Sequence, residues 1–249
     1  MNLIARLRRS TRGVALTEFA YVLPVLLLFG LGGAEAGHYV LAYLRVSQIA
    51  ETVADNAGRA RSALDETDIN DIMIGAKLMG KNLNIDTNGR IILSDLEQRT
   101  TTTGANGVGP TSANNPNGYR QWIRWQRCIG ALSNSSSYGV PIDGNGNPVT
   151  NLSATGTDHG AVQNVSIING MGPTGRQIAA SSGTAVMVVE VFYNYRPLIP
   201  LYSFGSPTIH IVQAFNIRQR TDFSVYNANN LTGTKRSDCS LRNASIPTS

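Results

Sequence analysis

Between Val14 and Leu31 the chain runs for 18 residues with Thr17 and Glu18 as its two polar side chains and Pro24 as its one proline. A bilayer core about 30 Å thick asks for about 20 such residues in a helix. Lipid offers no water, so a spanning segment must satisfy its own backbone N–H and C=O groups. Gly32, Gly33 and Ala34 lengthen the run without adding charge. The flanks are unequal. Arg6, Arg8, Arg9 and Arg12 precede the run, whereas Glu35 and neutral residues follow it. Cytoplasmic flanks carry the excess of Lys and Arg. The expected arrangement is therefore a single pass with the N-terminus in the cytoplasm and everything after about residue 36 exported, in a bacterium to the periplasm or beyond.

Two plainer readings compete with a functional membrane helix. Ala34-Glu35-Ala36 has the small-x-small pattern of a signal-peptidase site. The apolar region of a signal peptide usually runs about 7–15 residues, and this one is longer. A simple anchor with no further role is the other.

The formal net charge is +5, which on its own suggests a polyanionic partner. The distribution removes that suggestion. Without the four arginines before Gly13, 17 basic residues face 16 acidic ones. The basicity is an N-terminal address, and nucleic acid is excluded as a partner because no basic stripe exists elsewhere.

Glu18 is the most informative single residue. An ionisable group inside a membrane helix is costly and marks a functional position by default. It stands fifth after Gly13, in Gly13-Val14-Ala15-Leu16-Thr17-Glu18-Phe19. A basic run, a glycine, four apolar or small residues, a glutamate and an aromatic resemble a type IV prepilin-type processing site. The longer stretch from Arg8 through Gly13 to Ala20-Tyr21-Val22-Leu23-Pro24, with Glu35-Ala36-Gly37 beyond it, resembles the TadE-like family, minor pilins or pseudopilins of the Tad pilus system. The resemblance covers about the first 50 residues. It implies cleavage between Gly13 and Val14 by a prepilin-type peptidase. It implies that Glu18 neutralises the freed amine of a neighbouring subunit, with Phe19 and Pro24 in the same assembling helix. Physically, a carboxylate in lipid needs a partner, and an ammonium supplies one. The implied partners are other pilins or pseudopilins, an inner-membrane assembly platform and the bilayer.

Beyond the membrane run, Leu41, Leu44, Ile49, Val53, Ala57, Ala60 and Leu64 recur at helical spacing, and no proline interrupts Val25 to Leu64. The pattern predicts one helix from Val14 to about Leu64. Asp68 is the expected N-cap of a second helix, Ile69 to about Leu83. Asn88-Gly89 signals a turn, followed by a short strand over Arg90–Leu93. Residues 100–117 and 133–158 are rich in Gly, Asn, Ser and Thr and read as loops. Asp143-Gly144-Asn145-Gly146-Asn147 imitates the start of an EF-hand, but Pro148 and Ala154 stand where glycine and glutamate are required. No metal and no cofactor is expected.

Tyr119–Cys128 holds both tryptophans and three arginines. A strand with arginine–aromatic stacking is expected there. Tyr119, Trp122 and Trp125 are a candidate patch for a glycan or protein partner, and core packing is the plainer reading. Thr184–Tyr195 and Thr208–Thr221 read as an antiparallel pair joined by a proline-containing loop. Met187, Val189, Val191, Tyr193 and Tyr195 are the expected core face of the first strand. Cys128 and Cys239 both follow the membrane run. Export would carry them into an oxidising compartment, so they are expected to form a disulfide.

No phosphate loop, His-Glu-x-x-His, Gly-x-Ser-x-Gly or Cys-x-x-Cys occurs, and His38, His159 and His210 stand apart in the sequence. The chain is not expected to be an enzyme. The expected fold is α+β and pilin-like: a cytoplasmic leader (1–13), a transmembrane helix (14–35), a helical stalk (36–64) and a periplasmic head with an antiparallel sheet (65–249). The expected role is pilus assembly by helix packing and head contacts. The alternative is a membrane-anchored extracytoplasmic adhesin or glycan-binding module.

Overall fold

The computed structural model describes residues 12–99, 120–143, 145, 147–149, 167, 170–199 and 207–242. Its first element, α1, is an uninterrupted helix over Arg12–Arg59 with Pro24 inside it. At 1.5 Å per residue its 48 residues run about 72 Å. The expected end near Leu64 lies five residues too far. Gly58 and Arg59 finish the helix, and Arg59 Nε reaches back 2.7 Å to Asp55 on the preceding turn.

The chain divides into two units. One holds Met1–Ala42 and Arg196–Pro207, and the other holds Tyr43–Tyr195 and Thr208–Ser249. The division falls inside the segment expected as a stalk. From Tyr43 onward α1 belongs with the sheet, where Val46, Ile49, Ala50, Val53, Ala54 and Ala57 are buried. Leu41 and Leu44, which the periodicity placed on the same stripe, are exposed instead.

In the second unit, β1 (Leu64–Asp65) leads directly into α2 (Glu66–Met79). The N-cap is Asp65 and not Asp68. Asp65 Oδ1 accepts from the Thr67 N–H at 3.0 Å, and Asp68 Oδ2 accepts from the Asp65 N–H at 2.9 Å. The two carboxylates thus form a reciprocal capping box, and Asp68 is its third helical residue. The helix stops at Gly80, short of Leu83, because the chain turns there. A 3₁₀ turn, Lys81–Leu83, is followed by Asn84 in the left-handed conformation (φ 48°). The short α3 (Ile85–Asn88) then delivers the chain into β2 (Gly89–Arg99), so Asn88-Gly89 is a helix-to-strand junction and not a hairpin.

β2, β3 (Arg120–Ile129), β4 (Ala185–Asn194) and β5 (Thr208–Asn216) form one antiparallel sheet in the order β3-β2-β4-β5. The expected β4–β5 pair is present in register, Val186 opposite Asn216 through Asn194 opposite Thr208. A two-residue β6 (Val225–Tyr226) pairs in parallel with β1.

β4 departs from the expected one-sided burial. Every residue from Ala185 to Tyr193 is buried. A central strand covered on both faces loses the alternation that marks a half-exposed one. Val186 and Val188, expected to face outward, pack with Leu96, Ile123, Ile167, Met171 and Ala180. On the opposite face Met187 is paired with Phe215, and a Cβ built on Gly58 of α1 would lie 2.5 Å from Phe215 Cδ1. Glycine at 58 is what lets the end of α1 settle on that ring.

Candidate membrane and assembly site

From Val14 to Leu31 every side chain of α1 is exposed, including Phe19, Leu23, Leu26 and Phe29. An 18-residue window of this helix has a mean hydropathy of 2.1 with none of it buried. The helix is long and apolar enough to cross a bilayer. Its two early polar side chains behave differently. Thr17 Oγ1 donates to Val14 O at 2.8 Å, the usual way a hydroxyl is quieted inside a helix. Glu18 stands exposed on the first turns.

Gly13 and Val14 are already helical. Val14 and Glu18 are four residues apart and therefore share one face of α1. Phe19 adjoins that face. Pro24 stands mid-helix, where its missing N–H leaves one carbonyl of the preceding turn without its helical donor.

Above the apolar run, Glu35 is buried, and its Oε2 accepts from the backbone N–H of Ile199 at 3.0 Å. Both residues belong to the first unit. A glutamate at the end of an apolar run signals a polar boundary. Nothing in the local sequence announces that its partner lies 164 residues away.

In the second unit the C-terminal segment is tied to β3 and α2. Cys128 and Cys239 are joined by the expected disulfide. Next to it, Glu66 is fully buried between two arginines. Arg127 donates from Nε and Nη2, and Arg236 from Nε and Nη2, at 2.6 to 3.1 Å. Arg90 is buried as well and donates to the carbonyls of Gly130, Cys239 and Leu241. Burial, reinforced by the nearby Arg242, pushes its pKa down to about 10 against the pull of Asp238. These three arginines tie the C-terminal segment to α2, β2 and β3. Arg90 and Arg127 stand among apolar residues on β2 and β3, whereas Arg236 follows the 3₁₀ turn Gly233–Lys235 and carries no such signal.

The aromatic partner patch is not formed by its tryptophans. Trp122 is 7% exposed and Trp125 1%, and Trp125 Nε1 donates to Phe223 O at 2.8 Å. The expected arginine–aromatic stacking survives as Arg127 lying 6.0 Å over the Trp125 ring. Trp125 is held inside by the segment that carries Phe223. Tyr119 lies outside the described residues.

Other candidate chemistry is engaged in structure. Asp143 Oδ1 accepts from the N–H groups of Asn145 and Asn147, which makes the EF-hand imitation an Asx-type turn. Ser136 Oγ and the Ser137 N–H both donate to Glu190, and His210 Nε2 stands 3.3 Å from the same carboxylate. The serine is thus bonded to the acid and not to the histidine. Among the described residues no cluster of three or more His, Cys, Asp or Glu side chains suits a metal ion.

No curated protein and no solved structure matches the chain. The glycine–glutamate motif, the exposed apolar helix and the first buried turns of its continuation all lie in residues 13–55, and these residues match the family model for TadE-like protein.

Proposed function

We propose that this protein is a minor pilin or pseudopilin acting in assembly of a Tad-type pilus. The TadE-like match relates the chain to that pilus system. The observation that carries the reading is a TadE-like segment that opens on Gly13, places Glu18 one turn into an apolar helix, and leaves every side chain from Val14 to Leu31 exposed. Side chains of that kind are stable only against lipid or other apolar helices.

The helix sits in the bacterial inner membrane. The arginine-rich N-terminus is cytoplasmic and the sheet-bearing unit is periplasmic. A prepilin-type peptidase cuts between Gly13 and Val14. The new ammonium then stands on the same helix face as Glu18, and in an assembly the carboxylate of one subunit meets the ammonium of the next. Phe19 and Pro24 pack against neighbouring pilin helices, and the head contacts the assembly platform or other pilins. The disulfide suits an oxidising compartment. No step in this role calls for catalysis or a cofactor. The adhesin reading loses its main side chains, because Trp122 and Trp125 are in the core.

The test is intact mass and N-terminal sequencing of the protein from its native membranes, together with Glu18→Ala. A start at Val14, and loss of pili in the variant with an unchanged head, is the expected result. A start at Gly37 would overturn the pilin reading, and so would normal piliation in the variant.

A further inference from the structure

β5 is the last strand of its sheet, and one of its two edges is taken by β4. The pairing runs from Val186 opposite Asn216 to Asn194 opposite Thr208, and the Ile217 N–H extends it by donating to Ala185 O at 3.0 Å. Successive strand residues turn their backbone groups to alternate edges. Ile209, Ile211, Gln213, Phe215 and Ile217 therefore bond towards β4. Thr208, His210, Val212, Ala214 and Asn216 present their N–H and C=O groups to the other side. Among the described residues no hydrogen bond takes those groups.

The opposite end of the sheet is treated differently. At β3 the Cys128 N–H donates to Ser237 O at 2.8 Å, and Arg124 and Trp125 bond Ser224 and Phe223. The C-terminal segment thus lies along β3, while the nine residues of β5 keep an open edge. Such an edge is about 30 Å long and is a template for pairing. Free edges are usually blunted by lysine, proline, an inward charge or a bulge. Thr208–Asn216 holds no Asp, Glu, Lys, Arg or Pro, and its register with β4 is unbroken. Nothing in the strand opposes an added one.

The chemistry of an incoming strand is set where β5 ends. Gly58, Arg59, Arg61, Phe215, Arg218 and Gln219 line a groove of about 330 Å³ there. Arg59 is engaged by Asp55 on the preceding turn of α1. Arg61 and Arg218 are exposed, and among the described residues no carboxylate pairs with either. The Arg218 guanidinium is held 5.1 Å over the Phe215 ring, which fixes its position. Two guanidiniums beside an open edge suit a carboxylate side chain.

We propose that β5 is a docking edge for an extended strand of another protein, uncharged along Thr208–Asn216 and carrying Asp or Glu where it passes Arg61 and Arg218. Main-chain hydrogen bonds supply the affinity of such an added strand, and the carboxylate fixes its register. A second copy of β5 does not meet this description, because the strand holds no carboxylate. The inference stands on the sheet-bearing unit and does not need the pilus reading.

The test is hydrogen exchange read at single amides by mass spectrometry, on the full-length protein in detergent and in its native membranes. The amides of His210, Val212 and Ala214 are expected to exchange at least about tenfold more slowly in the membranes, while those of Ile211 and Gln213 are slow in both settings. Arg61→Glu combined with Arg218→Glu is expected to remove the difference. Val212→Pro gives up an N–H that the chain itself does not use. Its melting temperature is expected to hold, while His210 and Ala214 lose the slowing. Ala214→Pro replaces it if that variant does not fold. Equal exchange in detergent and membranes overturns the proposal. Slowing that survives the double arginine variant overturns the acidic strand. Slowing in detergent that grows with protein concentration also overturns it, because a second copy then fills the edge.

Discussion

Arg127 and Glu66 meet through three nitrogen–oxygen contacts of 2.6 to 3.1 Å, with both side chains at 1% exposure or less. Arg236 completes the group from the C-terminal segment, bonding the same Glu66 Oε1 at 2.6 Å. One carboxylate therefore ties together the start of α2, the C-terminal end of β3 and the tail.

Removing the carboxylate charge leaves two buried guanidiniums facing each other. Breaking a buried charge pair from one side costs about 3–5 kcal/mol. Glu66→Gln is expected to lower unfolding stability by about that amount, measured by denaturant titration of the full chain in detergent. A loss below about 1 kcal/mol would show the group to be solvated in solution.

The disulfide works on the same segment by a different route. It closes a loop with a sequence separation of 111, and the chain-entropy account assigns about 4–5 kcal/mol to such a link. The Cys128→Ser, Cys239→Ser double variant is expected to lose stability on that scale. Its C-terminal segment is expected to become the first site of limited proteolysis. The parent is expected to change gel mobility on reduction, whereas the variant is not.

Asp65 predicts a pH dependence. Burial alone would raise its pKa. The N–H of Ala228, the N–H of Thr67 and the Thr67 hydroxyl outweigh burial and hold it below its ordinary 3.8. A depressed folded value means the stabilisation is complete above 3.8 and is lost as pH falls through the folded value. Asp65→Ala is expected to cost about 1 kcal/mol at neutral pH, the usual worth of an N-cap. The variant and the parent are expected to converge in melting temperature as pH drops below the carboxylate range. A gap that stays constant down to the lowest pH would refute the assignment.

Gly58 sets the seating of α1 on the sheet. A Cβ there would lie 2.5 Å from Phe215 Cδ1, so Gly58→Leu overpacks the contact. Overpacking costs about 1–3 kcal/mol, more than the roughly 0.8 kcal/mol a helix gains when glycine is replaced. Phe215→Ala in the same chain is expected to recover most of the loss. Thermal melts of the two single variants and the double variant measure that coupling.

How much of this was legible in the chain depends on how local the interaction is. The apolar run from Val14, the helical continuation and the β4–β5 pair are properties of neighbouring residues, and their periodicity announces them. The helical periodicity of α1 coincides with its buried face at Ile49, Val53 and Ala57. The same periodicity continues to Leu41 and Leu44, which are exposed, because periodicity cannot say where a neighbour stops covering a helix. The local sequence does not choose between Asp65 and Asp68 as the cap of α2, because both are good capping side chains. Only the fold shows that Asp65 also serves Ala228, 163 positions away.

By itself the sequence determined that a long apolar helix begins near Val14, that a β-rich unit follows, and that two cysteines await each other. Hydropathy and alternation are carried by contiguous residues and survive in any context. The tertiary structure decided that both tryptophans are inside, that β4 is covered on both faces, that Glu66 holds two arginines and that Ile199 answers Glu35. Each of these depends on surfaces brought together across 60 residues or more, where burial and partner choice arise only once the chain has closed on itself.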